Sequence, residues 1–127
     1  MRYLIMATET EDAFGARQDP DRAGPYWAAW SEYIAALTDS GDLVAAGGLQ
    51  PPSAATTVRR RDGRRLVQDG PFADTKEQLG GYFVVEVPDL DAALAWADRC
   101  PSAGYASVEV RPLLPASQVL TDDATGG

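Results

Sequence analysis

The chain of 127 residues contains no histidine and one cysteine, Cys100. Without histidine there is no side chain that ordinarily titrates near neutral pH, and no Ser/His/Asp or Cys/His catalytic set. A lone cysteine excludes an internal disulfide and any Cys/His metal spacing, so the sequence predicts no metal site. The missing partner thiol also fits a reducing cytoplasm better than an oxidising exterior. No Gly-rich phosphate loop occurs, so no nucleotide or other cofactor is expected. Apolar runs fall far short of the roughly 20 residues that a spanning helix needs. The opening residues 1–12 turn acidic too soon for a signal peptide. These absences predict a cytoplasmic location and no membrane partner.

What is present is ordinary for a globular domain: 45% apolar and 24% charged residues, enough to offset the ordering of a single core. A formal net charge of −8 repels phosphate, which argues against nucleic acid and anionic membranes as partners. Residues 1–115 read as one domain. Residues 116–127, small, polar and acidic, read as a flexible tail.

Along the chain, Tyr3 to Ala7 is a short apolar run with the character of a central strand buried on both faces. Glu9 to Arg22, acidic and broken by Gly15 and Pro20, reads as a loop over one end of the sheet. From Pro25 to Ser40, the positions Tyr26, Trp30, Tyr33, Ile34 and Leu37 recur at helical spacing, and Gly41 supplies the stop. Asp42 to Leu49 gives a second strand. Ala55 to Arg60 and Arg64 to Gln68 flank Asp62-Gly63, a hairpin turn pair. Leu79 to Val87 is the longest strand candidate. Asp89 then caps a helix with Leu90, Ala93, Leu94, Ala97 and Cys100 on one face, and Ser107 to Leu113 is the last strand.

This order predicts an α+β, ferredoxin-like βαββαβ unit with an inserted β-hairpin, both helices covering one sheet face. Alternation places Phe83, Val85 and Val87 under the helices, and Tyr82, Val84 and Glu86 on the other face, with Glu109 and Arg111 beside them. Such a face needs a cover, and a homodimer with the two open faces pressed together is the simplest one.

The segment Asp69 to Tyr82 reads DGPFADTKEQLGGY, in which Gly70 before Pro71 permits unusual backbone shapes and Gly80-Gly81 suggests a bulge. Here the sequence resembles the YCII-related family, in particular its DGPF subgroup. The likeness extends to Gln50–Pro52, Ala55–Arg59, Val87–Pro101 and Val108–Leu113. It implies a dimeric α+β barrel, among whose relatives are muconolactone-isomerase-like and dehalogenating proteins, cofactorless monooxygenases and non-catalytic ligand binders. The resemblance also implies a His–Asp pair in a cleft; in a chain without histidine, Asp69 is the half that remains.

The candidate chemistry follows. Asp69 is read as a proton-transfer group beside Phe72 or as a cap for the Gly70-Pro71 turn. Tyr82 and Arg111 would polarise a substrate, and Gly70, Pro71, Phe72, Lys76, Glu86 and Glu109 would line its cleft. The alternatives are a solvated Lys76–Glu77 pair and a Glu109–Arg111 ion pair at the dimer interface. Arg59, Arg60, Arg61, Arg64 and Arg65 read as a charged hairpin edge against aggregation rather than a phosphate site. Trp27, Trp30 and Trp96 read as helix-packing residues, and Cys100 as a small buried filler. The expected function is cofactor-independent proton transfer, of isomerase or lyase type, on a small organic ligand. The alternative is a non-catalytic metabolite-binding or regulatory dimer, since some DGPF relatives are linked with extracytoplasmic-function sigma factors.

Overall fold

The computed structural model describes residues 1–119. β1 (Arg2–Thr10), β2 (Leu43–Gly48), β5 (Glu77–Glu86) and β6 (Val108–Pro112) form an antiparallel sheet in the order β2-β5-β1-β6. The ferredoxin-like α+β architecture is therefore present. β3 (Thr56–Arg61) and β4 (Arg64–Asp69) make the separate two-stranded insert, turning at Asp62 and Gly63, both at positive φ. The Asp62-Gly63 pair acts as the sequence implies.

Helices α2 (Ala23–Ser40) and α3 (Leu90–Arg99) cover one sheet face. Tyr3, Ile5 and Ala7 of β1 and Phe83 and Val85 of β5 meet Trp30, Tyr33 and Leu37 from α2 and Ala93, Ala97 and Cys100 from the α3 end, forming the core. Trp30 stacks on Phe83 with centroids 6.1 Å apart, and Tyr33 meets the same ring edge-on at 5.2 Å. Asp89 caps α3 by accepting a hydrogen bond from the Ala92 N–H at 2.9 Å. Leu90 and Leu94 stay outward, because the small Ala93 and Ala97 are what let α3 sit close to the sheet.

Two segments differ from the sequence reading. Glu9 to Arg22 is not a loop throughout: β1 continues to Thr10, and α1 (Glu11–Ala16) follows at once. Thr10 makes this possible, since its hydroxyl accepts from the Ala13 N–H at 3.1 Å and caps the helix. At the other end, Ala116–Val119 forms one helical turn, α4; residues 120–127 of the expected tail lie outside the described residues.

The open sheet face carries Leu4, Met6, Tyr82 and Val84, all half-buried, with Glu86, Glu109 and Arg111 exposed. Along β1 and β5 the register shifts between Ala7 and Thr8, whose partners are Gly81 and Leu79, so Gly80 is the extra residue of a bulge. A Cβ at Gly80 would lie 2.4 Å from Cγ of Glu9. Gly80→Ala is expected to lower stability by about 1–3 kcal/mol through this overlap. The measurement is the urea midpoint at constant m; an unchanged midpoint would mean that Glu9 yields without cost.

Candidate functional site

Tyr26, Trp27 and Trp30 on α2 form one wall of a cavity of about 870 Å³. Phe14 and Arg17, from α1 and its C-terminal cap, form a second wall, and the helix-side edge of β2 and β5 forms the floor. That floor is largely glycine: Gly47 and Gly48 on β2, Gly80 and Gly81 on β5. At Gly47 and Gly80 a Cβ would strike the Tyr82 ring and Glu9, so close neighbours account for those two. A Cβ at Gly48 would meet nothing within 4 Å.

Arg17 enters this space held on several sides. Its Nε donates to Tyr26 Oη at 2.9 Å, Nη1 to the Leu49 carbonyl at 2.5 Å and Nη2 to the Gly80 carbonyl at 3.3 Å. The guanidinium also lies 4.8 Å from the centre of the Phe14 ring and 5.5 Å from that of Trp27. A guanidinium has five N–H donors, and these bonds use three of them.

Behind the wall lies Glu9, 1% exposed. Period-two alternation along β1 puts it on the helix side with Tyr3, Ile5 and Ala7. A buried carboxylate needs donors, and two phenols supply them. Tyr26 Oη donates to Oε2 at 2.5 Å, and Tyr105 Oη donates to Oε1. Arg17, Tyr26, Glu9 and Tyr105 are thus one chain of hydrogen bonds, with Tyr26 accepting from the first and donating to the third. Burial, with Glu9 as its acceptor, pushes the Tyr26 hydroxyl up to about 12 despite the opposing pull of Arg17. The same two causes push Tyr105 upward. Tyr26 and Tyr105 also share a second hollow, of about 660 Å³, with Tyr33 and Arg99.

Trp30 stands between the two hollows, and its buried indole N–H has no acceptor among the described residues. Trp27 departs from the packing role expected for it. It is 47% exposed, and its indole N–H donates to the Arg17 carbonyl at 3.2 Å. Trp96 is half-buried against the core and donates to Asp42 Oδ2 at 3.1 Å. Cys100 is the small buried residue expected.

The residues singled out in the sequence fall into two other groups. Asp69 ends β4 opposite Thr56, with its side chain exposed rather than buried beside Phe72. Gly70 takes φ +99°, and the turn is held by its N–H on the Ala55 carbonyl at 2.7 Å and by Thr57 Oγ1 donating to the Gly70 carbonyl at 2.8 Å. Pro71 is half-buried, Lys76 is exposed, and Phe72, 73% exposed, lies 4.7 Å from the Arg59 guanidinium. Tyr82, Glu86, Glu109 and Arg111 share the open sheet face. Tyr82 and Glu109 flank Met6 on its two sides. Arg111 donates to Glu109 at 2.6 Å, and Glu86 is 3.1 Å from the N-terminal amine. None of these residues lines the large cavity.

The raised phenol of Tyr26 has a thermodynamic consequence. A tyrosine that ionises near 10 when unfolded but near 12 when folded contributes stability that is complete below pH 10 and is lost as pH rises toward 12. Urea unfolding followed against pH is expected to fall across that window. In Tyr26→Phe the fall should be shallower; an identical slope would show that Tyr26 titrates as an ordinary phenol.

Known proteins carry the same fold. The 5-chloro-2-hydroxyhydroquinone dehydrochlorinase TftG of Burkholderia phenoliruptrix AC1100, solved in complex with 2,5-dihydroxybenzoquinone, superposes with a TM-score of 0.53 and 16% identity, over 93% of this chain and 98% of that one. An uncharacterized protein of Rhizobium meliloti (strain 1021) is 44% identical over 79 residues, 59% of this chain. That match spans 62% of the relative's own length. The sequence profile of the YCII-related domain matches residues 1–117, and the chain belongs to the YCII-related family.

Proposed function

We propose that the chain is a cofactor-independent enzyme that binds a small, flat organic molecule in the cavity between α2 and the glycine floor and moves a proton on it. The observation that carries this reading is the Arg17–Tyr26–Glu9 hydrogen-bond chain, which reaches the cavity wall from a buried carboxylate. Aromatic walls and a floor without side chains suit a ring, and a fixed guanidinium suits an oxyanion on that ring. TftG, with its quinone ligand, offers a precedent on this fold.

The step balances among the substrate and these side chains. A substrate C–H or O–H bond breaks, and its proton passes to Tyr26 Oη while the Tyr26 proton passes to Glu9. The electron pair stays on the substrate as an enolate or phenolate facing Arg17. Return of the proton at another atom is isomerisation, whereas loss of a leaving group with the pair is elimination. Because burial and Glu9 keep the Tyr26 phenol protonated, proton transfer through it must be concerted with Glu9.

A homodimer belongs to the same reading. The half-buried Leu4, Met6, Tyr82 and Val84 form an apolar strip on the open face, and pressing two such strips together removes both from water. Glu86, Glu109 and Arg111 then rim that interface, while Asp69 to Phe72 anchor the root of the hairpin.

The absence of histidine favours the second reading, a dimer that binds a metabolite without changing it. Intrinsic tryptophan fluorescence and thermal shift against a panel of hydroxyquinones and dihydroxybenzoates separate the two. A ligand is expected to raise the melting temperature, and Gly48→Val, whose Cβ would meet nothing within 4 Å, is expected to abolish that shift. Glu9→Gln and Tyr26→Phe are expected to retain binding and lose turnover by about 10²–10⁴-fold. A ligand held but chemically unchanged by the wild type would establish the binder instead. Turnover indifferent to both substitutions would place the chemistry elsewhere.

A further inference from the structure

The β3–β4 hairpin has features that its own chain leaves unanswered. Residues 56–69 hold five arginines and two aspartates in a chain of net charge −8, so the rest of the chain carries −11. The register sets Arg60 opposite Arg65 and Arg61 opposite Arg64. Like charges directly across a strand pair are destabilising. The ion pairs found among the described residues involve other cations. Val58 and Val67, also directly opposite each other, are 60% and 54% exposed. One hairpin face therefore presents an apolar pair next to a pair of arginines. A two-stranded hairpin alone in water is marginally stable, and among the described residues no other element makes more than weak contact with this one.

We propose that this hairpin is an arm that docks on a second copy of the chain, with Arg60 and Arg65 against the acidic rim of the other copy's cavity. That rim belongs to the α1–α2 segment, where Glu11 and Asp21 are exposed and in no ion pair found among the described residues, Asp12 pairs with Arg22, and Asp19 accepts from the backbone N–H groups of Asp21 and Arg22. Glu11 itself lines the cavity. The arm leaves the sheet at the β2 edge, next to Leu49, Gln50 and Pro51, which border the cavity mouth. Strands of this length reach about 20 Å, and stacked sheets lie about 10 Å apart. The arm is therefore long enough to pass around the edge of a partner sheet and arrive at its helix side. Two-fold symmetry makes the exchange mutual, so each copy's arm narrows the other's cavity mouth. A nucleic acid is the weaker occupant, because the body carrying −11 repels phosphate.

This inference rests on the dimer proposed above, and sedimentation velocity separates the two. The wild type is expected to be a dimer that weakens with added salt. Arg60→Glu/Arg65→Glu is expected to raise the dimer dissociation constant roughly tenfold or more, because rim charges then repel. Adding Glu11→Arg/Asp21→Arg to that variant should restore association, since the charges are exchanged. Circular dichroism and melting of each variant guard against misfolding, and restoration by the second pair requires a folded hairpin. A monomeric wild type would overturn both the dimer and the arm. A dimer indifferent to the hairpin substitutions, or not restored by the exchange, would overturn the arm alone. Binding of a fluorescent DNA duplex by the wild type but not by Arg60→Glu/Arg65→Glu would also overturn it.

Discussion

The burial of Glu9 is the constraint from which the rest of the site follows. A carboxylate at 1% exposure costs several kcal/mol unless strong donors meet it. Tyr26 must therefore point inward from the first turn of α2, and Tyr105 must be carried back from the far side of α3. Gly80 must lack a side chain, because the carboxylate stem occupies the space where its Cβ would be. Thr10 must end the strand and start α1 immediately, which swings Arg17 over Tyr26. The cavity is what remains between these requirements and the β2 edge.

The two faces of the sheet divide the labour. The helix side holds the core, where Phe83 is gripped by Trp30 and Tyr33, and the cavity lies at its margin. The opposite side is apolar in the middle and charged at the edges. Trp30 lines both hollows on the helix side.

Local chemistry made most of the fold legible. Asp62-Gly63 marked the hairpin, Asp89 the start of α3 and Gly41 the end of α2, each through backbone geometry that few other residues satisfy. The alternation along β5 assigned its two faces correctly, and Gly80-Gly81 marked the bulge. The site was harder to see, for physical reasons. Glu9 lies 17 residues from Tyr26 and 96 from Tyr105, so no spacing rule connects them. Its neighbours Glu11 and Asp12 are acidic and gave the segment the look of a solvated loop. The overlooked clue was the alternation Tyr3, Ile5, Ala7, Glu9, which continues the buried face by one more step. The Asp-Gly-Pro-Phe turn drew the reading because it is compositionally unusual, yet its glycine serves backbone conformation at φ +99° and its aspartate is exposed.

Cys100, 2% exposed and beside Ser102, has its thiol pushed upward by burial. A thiol kept protonated and out of solvent reacts slowly with maleimides and oxidants. The native chain therefore offers almost no background to alkylating dyes, and a cysteine introduced on the surface would take a spin label or fluorophore selectively without first removing the natural one.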